Sequence, residues 1–349
     1  MTNNEGPVGK IHIINHHVWP DGSPICLITE QTAQYLTDHQ VPVVMVGSGG
    51  KYRPSSRPKP AIDLVTLQTK HIERQNVFQN IVEYALVLKT FWQYIRENVN
   101  ENDTVVFSSA PPSNVLLRYA VRSRNVKKVF WLFDYFPGYL FPLGLPKFIY
   151  GGLRKWWDRE LSKYDSVIKI AWNLGYFGEN AVVHRQWPMI PIAPDPTIIP
   201  AKKALYTGNL GMGHDVDAVV RAFEDLRDQG YEINIHADGP GLEKLPPWLK
   251  ERSKGIFKDS TSLIRALHDH EVHLVAGTPG IDELSFPSKT WNSIASGRRV
   301  IACGFSGKMQ QELDMSLAAD YKRHLPDLAA YLTNIHYWDA TAGQPVPLT

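Results

Sequence analysis

The feature that most constrains this chain is a repeated alternation of short apolar runs with longer amphipathic segments. The runs have the length and β-branched content of strands, and they lie at 11–17, 41–47, 104–109, 126–133, 166–172, 203–209, 232–239, 271–277 and 298–304. Apolar residues at helical spacing separate them, most clearly at 76–96, 216–228, 261–269 and 288–296. Buried strands that alternate with helices predict an α/β fold with parallel sheets covered on both faces.

A proline-rich segment divides this alternation into two halves. The chain has 349 residues, more than one ordinary domain holds. Residues 184–202 contain five prolines, which remove backbone donors and block helix, so we expect an extended linker. The predicted organisation is an N-terminal domain over 1–190, a C-terminal domain over 191–330 and a tail over 331–349 that could cross back to the first. Two doubly wound domains so joined are expected to face a cleft.

Composition and charge argue against several classes of function. A net charge of +2 provides no field that would attract nucleic acid. Two cysteines, Cys26 and Cys303, form neither a disulfide framework nor a zinc pattern and fit a reducing cytosol. The polar start lacks the apolar core of a signal peptide, and no run of about 18 apolar residues predicts a spanning helix. We expect a cytoplasmic chain without a nucleic-acid partner, and its oligomeric state stays open.

The stretch GNLGMGHD at 208–215 places three glycines between a predicted strand and a predicted helix. Glycine permits positive φ and lets another group approach the backbone closely. Asp215 is a good N-cap for the following helix, and the N–H groups of a helix start attract anions, most often phosphate. Because the spacing is neither G-x-G-x-x-G nor the P-loop pattern, a tight turn with an ordinary cap stays an alternative.

A second predicted helix start strengthens the interpretation as an anion site. The segment 286–297 has Pro287 at its first turn and Gly297 just past its end. Lys289 lies in that first turn, where a cation opposes the helix dipole by roughly 0.3–1 kcal/mol. An anion in front of the helix would offset this cost, and a solvated lysine is the alternative.

Taken in order, these motifs resemble the family-4 retaining glycosyltransferases of the GT-B fold. The C-terminal motifs are GNLGMGHD, HADGPG at 236–241, PSKTWNSIASGRRVIA at 287–302 and the following GFSGKMQQEL. The segment IHIINHHVWPDGSPICLITEQTAQYLTDHQVPVVMVG resembles the family's opening strand, glycine loop and helix. FWLFDYFPG at 130–138 resembles its aspartate-aromatic-proline loop in bacterial surface-polysaccharide members. The ordered set covers most of the chain.

The resemblance implies two Rossmann-like, doubly wound parallel-sheet domains, with the acceptor side in 1–190 and nucleotide-sugar binding in 191–330. It also implies a hexosyltransferase-type activity. A sugar would move from a nucleotide diphosphate sugar to a saccharide or lipid-linked saccharide, with retention at the anomeric carbon, in surface glycan synthesis. The donor would be UDP- or GDP-linked, with UDP favoured over GDP. No metal or other cofactor would be obligatory.

The resemblance also implies roles for individual residues. The donor diphosphate would face the glycine loop and the start of the PSK helix, where Lys289 would stabilise the departing diphosphate. The base and ribose would lie near HADGPG and the corner at 256–259. The predicted nucleotide-sugar-binding residues are Gly22, Gly208, Asn209, Gly211, Gly213, Asp238, Gly239, Lys258, Glu283, Ser288 and Lys289.

His16, His17 and Asp134 are the predicted acceptor-side residues. The two histidines follow the first predicted strand, and Asp134 ends the apolar run FWLF. A carboxylate within hydrogen-bond reach of an acceptor hydroxyl could bind or deprotonate it, so Asp134 joins Lys289 and His214 as a predicted catalytic residue. The alternatives are histidines satisfied at a strand end and a carboxylate that caps a turn. No metal-ligand cluster is predicted.

The sequence departs from the family pattern in two places. Met212 and His214 stand where many members carry an arginine and a lysine. Either as a protonated cation or as a neutral hydrogen-bond donor, His214 could partly replace the lost arginine. Leu284 and Asn292 stand where many carry a pair of glutamates, and Glu283 is one residue from the first. Two alternatives therefore stay open: a GT-B-shaped sugar-nucleotide epimerase, and a non-catalytic protein that binds a nucleotide sugar.

Aromatic and basic residues are mixed in the segment 135–161, where Trp156 and Trp157 sit beside basic side chains. Such a mixture suits a membrane interface. Packing of these side chains on a core face is the alternative. The interfacial interpretation predicts peripheral contact with the inner face of the cell membrane and an acceptor delivered from it.

Overall fold

The computed structural model describes residues 9–49, 57–69, 77–139, 146–211, 214–277, 283–305 and 307–336. As far as described, the chain forms two compact units. Unit 1 comprises the residues up to Ile170, Tyr176–His184 and those from Lys322 onward. Unit 2 comprises Ala171–Gly175 and Arg185–Tyr321.

Unit 1 is built on a seven-stranded sheet. Its strands are β1 (Ile11–Ile14), β2 (Val43–Gly47), β3 (Leu64–Thr66), β4 (Thr104–Ser108), β5 (Lys127–Leu132), β6 (Ser166–Lys169) and β7 (Ala181–Val183). They pair in the order β3-β2-β1-β4-β5-β6-β7, and every pairing is parallel. β1, β2, β4 and β6 are buried along their whole length, which explains their continuous apolar character in the sequence.

The described part of unit 1 that precedes β6 contains four α-helices. They are α1 (Pro24–Asp38), α2 (Val77–Asn98), α3 (Phe136–Tyr139) and α4 (Lys147–Leu161), and a 3-10 helix covers Pro112–Ala120. α1 begins with a proline at its first position, where the missing N–H has no helical partner to lose. Within the described part of the chain, no helix is both long and apolar enough to cross a bilayer.

Unit 2 has a five-stranded parallel sheet. Its strands are β8 (Ala201–Asn209), β9 (Glu232–Asp238), β10 (Ser253–Lys254), β11 (His270–Ala276) and β12 (Arg299–Cys303), in the order β10-β9-β8-β11-β12. Its helices are α5 (Val216–Asp228), α6 (Pro247–Lys250), α7 (Ser260–Asp269), α8 (Lys289–Ala295) and α9 (Gly307–Ala318), with a 3-10 helix at Pro240–Lys244. One core cluster packs Phe223 of α5 on Tyr206, and a second packs Leu267 and Ala295 on Leu205. Both faces of the sheet are therefore covered.

These two parallel-sheet α/β units confirm the predicted fold class. Each of the nine predicted apolar runs contains a strand, and α5 has the predicted bounds of 216–228. The prediction omitted β3, β7 and β10, which lie at sheet edges and span two or three residues. Such short edge strands carry too little periodicity to be recognised.

The last described helix, α10 (His324–His336), belongs to unit 1. It packs against α1, and the hydroxyls of Tyr331 and Ser166 share a 2.6 Å hydrogen bond. The described chain passes between the units at 170/171, 175/176, 184/185 and 321/322. The domain boundaries at 190/191 and 330/331 stay predictions.

Replacement of Leu332 by alanine should destabilise the protein, because this side chain of α10 is fully buried. We expect the free energy of unfolding to fall by about 2–5 kcal/mol, the usual cost of truncating a buried leucine. Leu317→Ala is the matched control: that α9 side chain is 49% exposed, and its loss should change stability by about 0.5 kcal/mol or less. Urea unfolding measures both, and equal effects would mean that α10 adds nothing to the core.

Candidate functional site

The glycine-rich loop lies at the topological switch point of the unit 2 sheet. β8 is central, and the chain leaves β8 toward β9 but leaves the neighbouring β11 toward β12. The backbone N–H of Leu210 donates to the carbonyl of Asp238 at 2.7 Å, and that of Asp215 donates to the carbonyl of Gly277 at 2.7 Å. The carboxyl ends of β8, β9 and β11 therefore meet around this loop, which is where open α/β sheets bind ligands.

Two glycines at these strand ends adopt conformations that other residues rarely take. Gly208 has φ of +102° and Gly239 has φ of +101°. A Cβ atom on Gly208 would lie 3.7 Å from Cδ of Lys289, so the lysine stem passes directly over this glycine. A Cβ atom on Gly239 would overlap the side chain of Asn209. The prediction that Gly213 binds the nucleotide sugar falls on a residue outside the described ones, as does Met212.

Lys289 reaches from α8 to the side chain of Tyr206 on β8. Its Nζ donates to the Tyr206 hydroxyl at 2.5 Å and lies 3.7 Å from the centroid of that ring. The Tyr206 hydroxyl in turn donates to the carbonyl of Asn209 at 3.0 Å. A hydrogen-bonded chain therefore joins the lysine to the last residue of β8.

Burial lowers the pKa of Lys289 to about 7, because the charged form loses hydration. The side chain is half-buried and belongs to the first residue of α8, with Ser288 at the cap position. Charged and neutral forms are thus both populated near neutral pH. An anion placed beside the ammonium would favour the charged form.

His214 is neutral near pH 7. Burial, followed by the charge of Lys289, lowers its pKa to about 4. Its Nδ1 accepts a 3.0 Å hydrogen bond from the Gly211 N–H, which places the ring proton on Nε2. Of the two ways in which His214 could replace a lost arginine, as a cation or as a neutral donor, the neutral donor fits this environment.

Asp215 caps α5, as predicted. Its carboxylate accepts a 2.9 Å hydrogen bond from the Ala218 N–H. The chain's own negative charge therefore occupies the start of this helix. A second negative charge would be repelled at this helix start.

The structure brings together the two corners predicted for the base and ribose. The ring of His236, near the end of β9, stacks on Phe257 with centroids 4.0 Å apart and planes 18° from parallel. Asp238 follows two residues later and is half-buried, while Lys258 is exposed beside the second ring. Sequence reasoning missed the stacked pair, although both rings lie inside the two predicted corners.

The residues at and beside the positions where many family members carry two glutamates are buried or hydrogen-bonded in this structure. Leu284 is buried, and the buried side chain of Asn292 accepts a 3.0 Å hydrogen bond from the Met189 N–H. Glu283, a predicted binding residue, accepts a 2.6 Å hydrogen bond from Lys308. Both hydrogen bonds lie within unit 2.

The predicted acceptor-side residues lie at the carboxyl ends of β1 and β5 in unit 1. His16 is buried, with Nδ1 2.5 Å from the Ser48 hydroxyl and Nε2 3.7 Å from a carboxylate oxygen of Glu83. Asp134 is half-buried, and its backbone N–H donates to the Ser109 hydroxyl at 3.2 Å. The contacts of His16 are those expected of a histidine satisfied at a strand end.

His17 belongs to a turn that precedes α1. Its Nδ1 lies 3.2 Å from a carboxylate oxygen of Asp21. Burial raises the pKa of Asp21, but hydrogen bonds from His17 and from the Ser23 N–H outweigh burial and lower that pKa to about 2. Gly22, a predicted binding residue, sits inside the turn that Asp21 and Ser23 close with a 2.7 Å bond.

A pocket of about 540 Å³ opens at the amino end of the unit 1 sheet, away from the predicted residues. Its buried members form a hydrogen-bonded chain in which His12 lies 3.1 Å from Tyr94 and 3.1 Å from Asp103. Asp103 also accepts from the backbone N–H groups of Lys10 and Asn100. Because these polar groups satisfy one another, we interpret the cluster as a structural network that ties β1 to α2 and β4.

The structure corrects the interfacial interpretation of one tryptophan. Trp157 is 1% exposed, and its ring packs against Phe130 and Phe136. It belongs to the core of unit 1 and is not available to a membrane. Trp156 is half-buried. Within the described ranges, no group of three or more histidine, cysteine or acidic residues could hold a metal ion.

Comparison with known proteins identifies the fold. No protein-family model matches the chain, and no curated protein matches it. Sucrose-phosphate synthase from Thermosynechococcus elongatus is similar over 94% of both chains, with a TM-score of 0.59 and 13% identity. TarM of S. aureus, in a structure with fondaparinux, α-GlcNAc-glycerol and UDP, is similar over 95% of this chain and 97% of its own, with a TM-score of 0.57 and 10% identity.

Trehalose-6-phosphate synthase from Burkholderia multivorans is similar over 93% of both chains, with a TM-score of 0.52 and 11% identity. At these identities the likeness establishes the fold alone. The chain has the GT-B fold of these solved structures, in agreement with the fold class predicted from its motifs.

Replacement of Lys289 by methionine should stabilise the protein at neutral pH and less so in alkali. The folded-state pKa of about 7 lies below the ordinary value of 10.5, so the unfolded chain binds more protons between these values. Stability of the native protein therefore rises with pH across that window, and a methionine removes this dependence. We expect the gain in Tm to be largest near or below pH 7 and to vanish near pH 10.5.

Thermal denaturation across that pH range measures the difference. Lys202→Met is the matched control, because Lys202 is exposed on β8, at the end opposite the glycine loop. A Tm difference for Lys289→Met that does not vary with pH would contradict the assignment of a lowered pKa.

Proposed function

We propose that the chain is a glycosyltransferase that moves a sugar from a nucleotide diphosphate sugar to an acceptor. One observation carries the proposal: the ammonium-bearing side chain of Lys289 passes over Gly208 at the switch point of the unit 2 sheet. A cation beside exposed glycine backbone is suited to a diphosphate, because both the charge and the N–H groups favour an anion. The GT-B fold supports the same interpretation.

The chemical task of Lys289 follows from where charge develops. Transfer breaks the bond between the anomeric carbon and a phosphate oxygen, and negative charge grows on that oxygen. An ammonium held in a partly desolvated position stabilises this charge more than water would. The Tyr206 hydroxyl and ring position the ammonium, the ring through a cation–π contact, so Tyr206 acts as a positioning residue.

The other donor contacts are assigned by the same logic. The neutral His214 would donate from Nε2 to a phosphate or sugar oxygen. The half-buried carboxylate of Asp238 would accept a hydrogen bond from a ribose hydroxyl. The rings of His236 and Phe257 would present a flat surface near the base. Gly211 and Gly239 would let the ligand approach the backbone.

The finer parts of the proposal rest on the sequence resemblance. They are retention at the anomeric carbon, a UDP- rather than GDP-linked donor, no obligatory metal, and a saccharide or lipid-linked acceptor in surface glycan synthesis at the cytoplasmic face. TarM, whose structure contains UDP, supports the choice of base by analogy. The role of Asp134 in binding or deprotonating an acceptor hydroxyl stays a prediction.

One observation favours a second candidate, a non-catalytic protein that binds nucleotide sugars. The positions of the family's glutamate pair hold the buried Leu284 and an Asn292 engaged by the backbone of Met189. Neither side chain supplies a carboxylate. A protein that keeps the diphosphate site without these groups would bind the donor without turning it over.

Incubation with panels of UDP-sugars and GDP-sugars, with and without saccharide acceptors, separates the candidates. We expect free nucleoside diphosphate together with a glycosylated acceptor, detected by mass spectrometry. An epimerised donor would favour the epimerase instead. Calorimetric binding of a donor with neither product would favour the binding protein, and absence of binding to any donor would refute the proposed function.

Lys289→Ala should reduce turnover more than donor binding. Loss of one transition-state charge contact should lower kcat by about 100- to 1000-fold. Ground-state affinity for the nucleoside diphosphate should fall by about tenfold or less, since the charge on the leaving oxygen is greatest in the transition state. Initial rates and calorimetry measure the two effects, with Lys202→Ala as the matched control. Full turnover by Lys289→Ala would show that the diphosphate does not bind at this lysine.

A further inference from the structure

Arg57 is a mostly buried charged side chain to which the proposed function gives no role. Its side chain is 22% exposed, and that of its partner Glu30 on α1 is 5% exposed. Nη1 and Nη2 of Arg57 donate to the two carboxylate oxygens of Glu30, at 2.5 and 2.9 Å. This bidentate pair fixes the direction of the guanidinium as well as its position.

The same guanidinium reaches beyond α1 to the turn that carries His17. Its Nη2 also donates to the backbone carbonyl of Asp21 at 2.7 Å. The backbone carbonyl of Arg57 accepts a 3.0 Å hydrogen bond from the indole Nε1 of Trp19. Arg57 therefore holds this turn at two points, once through its side chain and once through its backbone.

The position of the turn depends on the ion pair with α1. Glu30 and the Asp21 carbonyl accept from the same nitrogen, Nη2 of Arg57, so the site of the ion pair determines where that carbonyl can lie. Sγ of Cys26, one helical turn before Glu30, lies 3.3 Å from Nη2 and donates to Glu30 at 3.2 Å. The guanidinium is thus held on α1 by two side chains and transmits their position to the turn.

Asp21 connects this anchor to the ring of His17. The Asp21 side chain is fully buried, and one carboxylate oxygen accepts from the Ser23 N–H at 2.7 Å while the other lies 3.2 Å from Nδ1 of His17. Because a carboxylate only accepts, Nδ1 carries the proton of the neutral ring and Nε2 carries its lone pair. A shift of the Asp21 backbone would move the carboxylate and no longer select this tautomer.

We propose that Arg57 is a positioning residue that fixes the His17 ring so that its Nε2 accepts a hydrogen bond from an acceptor hydroxyl. Arg57 contacts neither donor nor acceptor and acts through Asp21. The inference rests on the proposed sugar transfer, in which His17 is a predicted acceptor-side residue. Because misplacement of a contacting group by about 1 Å can cost about 100-fold in rate, loss of Arg57 should affect the step that uses the acceptor.

Initial rates test this split between acceptor and donor. Arg57→Ala should lower kcat/KM for the acceptor by about 10- to 100-fold. Calorimetric affinity for the nucleoside diphosphate should stay within about twofold of the parent value, because the predicted diphosphate contacts lie in unit 2. Arg57→Lys should give an intermediate loss, since lysine keeps a charge for Glu30 but lacks the planar fork of arginine. If Arg57→Ala does not fold, Arg57→Lys provides both readouts.

The tautomer of His17 provides a readout that does not need activity. Nitrogen NMR shifts of isotope-labelled histidine, measured near about pH 8.5, where an ordinary imidazole is neutral, show which ring nitrogen carries the proton. His17→Gln assigns the signal. We expect the Nδ1–H form in the parent chain and a mixture of both tautomers in Arg57→Ala.

Arg118→Ala is the matched control, because Arg118 donates to the buried Glu160 at 2.8 Å elsewhere in unit 1. It breaks a comparable ion pair without contacting the turn, so acceptor kinetics and the His17 tautomer should stay as in the parent chain. Parent-like kinetics and tautomer in the Arg57 variants would overturn the proposal, and so would the same changes in Arg118→Ala.

In an active parent chain, either change without the other would also overturn it, because the kinetic loss must pass through the ring. A parent chain that transfers no sugar would instead refute the proposed function. The tautomer alone would then decide whether Arg57 positions His17.

Discussion

The parallel pairing of β8 with β9 on one side and β11 on the other is the constraint on which the candidate site depends. Because the chain passes from β8 to β9 but from β11 to β12, the connections leave these two adjacent strands in opposite directions, and no connection crosses between their carboxyl ends. The glycine loop fills one of these ends. The same arrangement brings Lys289, from the crossover after β11, to Tyr206 of β8, which is 83 residues away in the sequence.

Burial of that lysine has an energetic cost, which the structure offsets only in part. The Tyr206 hydroxyl and ring receive the ammonium, yet its pKa still falls to about 7. A group whose charge is disfavoured by its surroundings is a candidate for function, since a ligand of opposite charge can restore what desolvation removed. Burial, followed by the charge of the same lysine, lowers the pKa of His214 and keeps that ring neutral.

Local sequence patterns made much of this fold predictable, but contacts between residues far apart in the sequence could not be predicted from them. Periodicity identified the buried strands and α5, and Asp215 was recognisable as a cap because capping is local. The Lys289–Tyr206 contact and the stacking of His236 on Phe257 join separate motifs, so no spacing rule reveals them. Trp157 and Phe148 lie on one helix, but only tertiary packing determines which of them is buried.

The division of the chain into units has a consequence for synthesis on the ribosome. Glu312 is fully buried and accepts hydrogen bonds from the Trp172 N–H at 2.8 Å and from Arg185 at 2.7 Å. These bonds attach Ala171–Gly175 and the start of the segment from Arg185 to the rest of unit 2. All described parts of unit 2 have been translated by Tyr321, whereas α10 of unit 1 is still to come. Unit 1 therefore begins first but is completed last. The surface of α1 that α10 covers stays exposed until α10 has been translated.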